Sequence, residues 1–238
     1  MEYCLEGNLE SLLTSTENGL DEFIVRRYTR QLLEAVACLH EHGVVHRDIK
    51  GANIFLTEEM KTIKLGDFGC AVKIKAHTTM PGELQGFVGT QAYMAPEVFT
   101  RNMNEGHGRA ADIWSMACVV LEMVQGERPW ADLQSNYQIM FKVGMGQSPE
   151  VPDHLSEEGK DFLGTCFVQN PQERATAQDL LSHNFIKVIH TNKKFILTSA
   201  FLLQIYEEDE HHSLPLFASF SDFSEMRRSL VRQDSGKY

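Results

Sequence analysis

Cysteine is scarce in this chain, with five among 238 residues: Cys4, Cys38, Cys70, Cys118 and Cys166. Each stands alone and none forms a Cys-x-x-Cys pair, a pattern that suits reduced thiols in the cytosol rather than a disulfide framework. Basic charge is also in deficit. Twenty-two Lys and Arg against 33 Asp and Glu give a formal net charge of −11. That balance argues against a nucleic-acid binder, which would carry a basic stripe, and against attraction to an anionic membrane surface. Long hydrophobic runs are missing, so no stretch reaches the length of a bilayer span. Met1-Glu2-Tyr3-Cys4 has neither the basic nor the apolar region of a secretory signal. Low-complexity tracts are absent as well, and with 42% hydrophobic residues the chain can bury one sizeable core. One domain followed by a tail is the simplest division.

What is present is concentrated in a few motifs. His46-Arg47-Asp48-Ile49-Lys50-Gly51-Ala52-Asn53 is followed, nineteen residues after Asp48, by Asp67-Phe68-Gly69, and Ala95-Pro96-Glu97 closes the segment. In this order and spacing the three confirm one another as phosphoryl-transfer machinery. Moving the γ-phosphoryl of ATP to a hydroxyl needs a group to orient the hydroxyl and take its proton, oxygens to hold Mg²⁺, and positive charge on the phosphate. Asp48 suits the first role. Asn53 offers a neutral side-chain oxygen and Asp67 a hard anionic one for the metal. Lys50 lies between them as a point charge for the γ-phosphate, and a lysine at this place goes with serine/threonine acceptors.

Periodicity places these motifs. Ile24, Tyr28, Leu32, Val36 and Leu39 recur at helical spacing, so 21–42 is predicted as an amphipathic helix, ended by Gly43, that delivers the chain into the loop. Ile54-Phe55-Leu56 and Ile63-Lys64-Leu65 read as two short strands presenting Asp67. From Ala110 to Gln125, before Gly126, the chain is apolar almost all round, as in a helix buried within a domain. Asp112 is the anomaly there, and a buried carboxylate must meet donors such as backbone N–H groups. Tyr137–Val143, Glu157–Phe167 and Ala177–Leu181 read as further helices, and Asn8 as a helix cap. His40 and His42 fall on different sides of their helix, which argues against a metal site with His46. His211-His212 beside Glu207–Glu210 reads as a solvated acidic face.

At Lys50-Gly51-Ala52, Gly66, Met80-Pro81-Gly82-Glu83, Gly89-Thr90, Tyr93–Glu97 and Gly106–Ser115 the chain resembles the eukaryotic protein kinases, and among them the MEKK class of MAP kinase kinase kinases. The resemblance runs over residues 1–188 and implies a kinase domain there, in the form of its mainly helical C-terminal lobe with a small β-hairpin. Residues 189–238, with the apolar-leaning run Phe195–Tyr206, are then a tail of separate and unread role. The resemblance implies ATP and Mg²⁺ as cofactors, a cytoplasmic location, and MAP kinase kinases of stress-activated cascades as substrates. It adds a scaffold or upstream activator as a further partner. Backbone groups of Glu2 and Cys4 would face adenine and Phe55 would form the floor of that pocket. Asp112 would hold the catalytic-loop backbone, His46 would pack on Phe68, Thr90 would bond Asp48 and Lys50, and Glu97 would pair with Arg174. Arg47 beside Asp48 is expected to meet a phosphate on the activation segment, with Thr79, ahead of its neighbour Thr78, as the expected acceptor.

The same resemblance sets one expectation about what is missing. The family's Gly-rich loop, strand lysine and helix glutamate have no counterpart ahead of Met1, which aligns with the gatekeeper position, and no Gly-x-Gly-x-x-Gly follows. The N-terminal β-lobe is therefore expected to be absent and the isolated chain to have negligible kinase activity, where one lost donor alone can cost about 10²–10³ in rate. The alternative is a non-catalytic C-lobe that serves as an interaction module, docking substrate or scaffold around Trp130 and the 137–143 helix.

Overall fold

The computed structural model describes residues 6–74, 89–100 and 108–187. Glu2 and Cys4, Thr78, Thr79 and the Met80–Glu83 stretch, Gly106-His107, and everything from 188 onward lie outside the described residues.

Helix α4, Gly108–Gln125, is the centre of the core, with every side chain from Ala111 to Val124 buried. That burial follows from its composition, because a helix that is apolar all round has no face to give to water. Helix α2, Glu22–Glu41, packs against it. Asp21 caps α2 by accepting from the Phe23 N–H at 2.8 Å. Val25, Tyr28, Leu32, Leu33 and Val36 form its buried stripe, and the helix ends where Gly43 turns left-handed at φ 70°. The predicted helix over 21–42 is thus found with a one-residue cap at each end.

Two antiparallel pairs of strands stand at the edge of this helical body. Val44–Val45 (β1) pairs with Val72–Lys73 (β4), and Ile54–Thr57 (β2) pairs with Thr62–Leu65 (β3) in the register Ile54 to Leu65 and Phe55 to Lys64. The β2–β3 hairpin matches the two strands read from the sequence. The β1–β4 pair was not legible, because two residues show no alternation. In the β2–β3 turn, Glu58, Glu59 and Met60 all take positive φ, at roughly 1–2 kcal/mol each for non-glycine residues. The Glu6 carboxylate accepts from the Glu59 and Met60 N–H groups at 2.8 Å, and the Tyr28 hydroxyl donates to the Met60 carbonyl, which offsets that cost.

Short helices complete the body: α1 (Leu9–Thr14), α3 (Pro96–Thr100), α5 (Asn136–Gly144), α6 (Glu157–Cys166), α7 (Ala177–Leu180) and α8 (Asn184–Lys187). Asn8 caps α1, and capping boxes start α5 at Ser135/Gln138 and α7 at Thr176/Asp179. Phe167 and Leu181, read as helical, are the C-cap residues of α6 and α7. The result is the expected mainly helical lobe with a small hairpin at its edge.

Candidate active site

The loop between β1 and β2 carries the first motif, and α4 holds it from below. Asp112, one turn into α4 and 1% exposed, accepts from the backbone N–H of His46 through Oδ2 and of Arg47 through Oδ1, both at 2.9 Å. His40 Nε2 reaches the same Oδ2 at 2.9 Å. The buried carboxylate therefore meets donors on both oxygens, as its burial requires. From the sequence, His40 was placed only on a different side of α2 from His42, which argued against a metal site and gave it no role. Only the pairing of two helices 72 residues apart reveals it. His42, by contrast, turns back to the Cys38 carbonyl at 2.8 Å.

Asp48 is the focus of the loop. Its Oδ1 accepts from the Thr90 N–H at 3.1 Å and from the Thr90 hydroxyl at 2.9 Å. Its Oδ2 lies 2.9 Å from Lys50 Nζ and 3.1 Å from Asn53 Nδ2. Lys50 also donates to Thr90 Oγ1 at 2.9 Å, so the threonine hydroxyl accepts from the lysine while donating to the aspartate. Burial works against ionisation of Asp48, but the Lys50, Thr90 and Asn53 contacts outweigh it and hold the carboxyl below its usual range. Gly89 makes the approach of Thr90 possible. At φ 117°, it would carry a Cβ only 2.6 Å from the Arg47 carbonyl.

Asn53 and Asp67 are joined through backbone. The Gly66 N–H donates to the Asn53 carbonyl at 2.9 Å, and the Gly66 carbonyl meets His46 Nε2 at 3.0 Å. Asp67 sits left-handed at φ 55° and caps the Phe68–Cys70 turn through the Gly69 N–H. His46 packs edge-on to Phe68, centroids 5.0 Å apart. Asn53 spends its Nδ2 on the Asp48 carbonyl and carboxylate, which leaves Oδ1 as an acceptor, and Asp67 accepts from the Gly69 N–H through Oδ1. Two hard oxygens, one neutral and one anionic, are the donors Mg²⁺ prefers, so these residues fit that ion.

Arg47 takes a strained φ of 67° and donates from Nε to the Cys70 carbonyl at 2.6 Å. It is thus not left for an anion alone, since a neutral carbonyl already ties the loop to the Asp-Phe-Gly turn. The Phe55 ring lies where a Gly66 Cβ would stand, at 2.7 Å, so glycine before Asp67 is required by space. Glu97 and Arg174 form a buried two-point pair at 2.7 and 2.9 Å. Arg174 also donates to the Val168 and Ala110 carbonyls and lies over the Trp114 ring.

Glu122 escaped the sequence reading altogether. It lies in the middle of α4 at 3% exposure, facing Gly51 of the loop, and among the described residues its Oε2 has no hydrogen-bond partner. Burial pushes its carboxyl up to about 7 against the opposing pull of the Tyr93 hydroxyl and the Gly51 N–H. The available signal was a lone carboxylate in the run Cys118–Val124.

Mitogen-activated protein kinase kinase kinase 4 of Homo sapiens is 59% identical over 189 residues, covering 79% of this chain and 12% of that protein. Mitogen-activated protein kinase kinase kinase A of Dictyostelium discoideum is 38% identical over 81% of the chain and 20% of its own length. MAP kinase kinase kinase SSK2 of Saccharomyces cerevisiae is 40% identical over 78% of the chain and 14% of its own length. The chain thus spans a minor part of each relative. Among families, the protein kinase domain matches residues 1–186. That match covers well over half of the sequence, and the chain belongs to the protein kinase domain family.

Proposed function

We propose that the chain carries the catalytic and substrate-binding part of a serine/threonine MAP kinase kinase kinase, with MAP kinase kinases of stress-activated cascades as substrates. The observation that carries this reading is the Asp48 cluster: a carboxylate held ionised by Lys50, Thr90 and Asn53 at 2.9–3.1 Å. Asp48 orients the acceptor hydroxyl and takes its proton as the oxygen bonds to the γ-phosphorus and ADP leaves. Lys50 lies where it would steady the transferring phosphate. Asn53 and Asp67 would hold Mg²⁺, which when bound spreads the negative charge of the phosphates. Phe55 would floor the adenine site, with Glu2 and Cys4 at its hinge. Residues 1–188 are the kinase domain in this reading, residues 189–238 a separate tail, and a phosphate on Thr79 would add an anion to Arg47.

The family names of the relatives and the serine/threonine lysine at Lys50 support the substrate class. A cytoplasmic setting accords with the five single cysteines; among the described residues no helix is long and apolar enough to cross a membrane. Transfer of labelled phosphate from Mg·ATP to kinase-inactive MAP kinase kinases, by the longest natural protein containing this segment, tests the reading. Asp48→Asn is expected to lose about 10²–10⁴ in rate. Undiminished transfer by that variant would overturn it.

A further inference from the structure

Helix α4 supports the catalytic loop at two carboxyls, Asp112 and Glu122, and their surroundings differ. Glu122 is 3% exposed, and a Cβ on Gly51 would stand 2.9 and 3.0 Å from its two carboxyl oxygens, so the loop backbone rests directly on this group. The Tyr93 hydroxyl and the Gly51 N–H turn their protons toward it. Both contacts lead to the chemistry. Gly51 lies between Lys50, whose ammonium meets Asp48 and Thr90, and Asn53, whose N–H closes the turn over Gly51 onto the Lys50 carbonyl at 3.0 Å. The Tyr93 N–H donates to the Thr90 carbonyl at 3.0 Å, and Thr90 bonds Asp48 through both its N–H and its hydroxyl. One buried carboxyl therefore underlies both elements that hold Asp48.

What surrounds Glu122 disfavours its charge. A buried carboxylate stays ionised when donors satisfy both oxygens or a cation pairs with it. Asp112 has the donors and Glu97 has Arg174, but Oε2 of Glu122 has no partner among the described residues. The titratable groups that bear on it are Tyr93 from the turn, Cys118 one turn earlier on α4 and Glu10 from α1. Burial pushes the tyrosine and the thiol up, so both stay neutral, and Glu10 is an exposed carboxylate that repels a second negative charge. The loop's own cation, Lys50, is spent on Asp48 and Thr90. With burial outweighing two donors, the carboxyl gains and loses its proton at about pH 7. The neutral group needs no water. The anion leaves an oxygen bare inside the protein, and a lift of Gly51 or Tyr93 is what would admit water to it.

We propose that Glu122 is a proton-controlled latch under the catalytic loop: with a proton it lets Gly51 and Tyr93 seat on α4, and without one it loosens both, so that phosphoryl transfer follows the proton concentration. This rests on the kinase reading above. Glu122 acts through the seat of Asp48 and is a positioning residue, with no contact to substrate or nucleotide required. Asp48 itself is held below the usual carboxylate range, so a response near neutrality is not its own.

Carbon NMR of the Glu122 side chain in the 238-residue chain, with the amide signals of Gly51 and Tyr93 followed in the same samples, tests the proposal from about pH 5 to about pH 9. All three should titrate together at about 7, and Glu122→Gln should abolish the response of the two amides. Glu10→Gln alters only an exposed side chain and should lower the shared midpoint at low salt, with the shift fading as salt is added. In labelled-phosphate transfer by the longest natural protein containing this segment, the ratio of wild-type to Glu122→Gln rates should fall by up to about tenfold from about pH 6 to about pH 8, as the neutral fraction does for a group titrating at about 7. Glu122 titrating near 4.5, amides that ignore its titration, or a rate ratio constant across that range overturns the proposal. Absence of transfer at every pH, with the amides still following Glu122, would instead sink the kinase reading and leave the latch between α4 and the loop standing.

Discussion

Replacing Glu122 with glutamine should raise stability at neutral and alkaline pH and leave it unchanged in acid. The carboxyl is 3% exposed in the middle of α4, so solvent screening takes little of the effect away. Burial raises it from 4.5 to about 7, beyond what the Tyr93 hydroxyl and the Gly51 N–H pull back, with Glu10 adding to the rise. The folded protein therefore keeps a proton that the unfolded chain releases above pH 4.5. Its contribution is fully present below that value and is lost as pH climbs to about 7. At about 1.4 kcal/mol per pH unit, the loss by pH 8 is roughly 3 kcal/mol. Glu122→Gln removes the proton exchange and keeps the shape, so urea unfolding of both proteins from pH 4.5 to pH 8 should give curves that coincide in acid and separate by up to that amount. Asp48, whose carboxyl is shifted the other way, contributes a slope only at lower pH and is common to both proteins. Parallel curves across the whole range would refute the reasoning, as would a Glu122 side-chain carbon signal titrating near 4.5.

Arg174→Met should cost ~3–5 kcal/mol in urea unfolding, because it strands the buried Glu97 carboxylate, while the double variant with Glu97→Leu should recover most of the loss. Gly66→Ala should destabilise by ~1–3 kcal/mol, since its Cβ would meet the Phe55 ring at 2.7 Å, and Phe55→Leu should restore much of it; additive losses would contradict the contact. Asp112→Ala should cost at least about 2 kcal/mol and speed hydrogen exchange at the His46 and Arg47 amides, both of which lose their acceptor. Unchanged protection at those two amides would show that the loop is held by something else.

Much of the fold was legible because its signals are local. The α2 stripe from Val25 to Val36 and the capping residue Asp21 are written within one helix, and the observed bounds follow them. The β2–β3 strands are long enough to read, whereas the two-residue β1 and β4 exist only through pairing across 27 residues. Asp112 was visible as a charge in an apolar helix, and the requirement that a buried carboxylate meet donors anticipated its backbone bonds. Its third partner, His40, was not, because nothing in α2 marks which of its histidines faces α4.

The sequence by itself determined which polar groups the chain brings to its loop: His46 to Asn53 and the Asp-Phe-Gly turn supply, by residue type and spacing alone, the carboxylates, carboxamide and lysine from which the proposed base, metal oxygens and phosphate cation are drawn. Tertiary structure alone decided which charges are buried and who meets them. Glu122 and Gly51 are brought together across 71 residues, and burial in that contact pushes the carboxyl up to about 7. Which side of α5 faces out was decided the same way, because Tyr137, Phe141 and Met145 are left exposed only once Ile139 and Val143 have been claimed by the core.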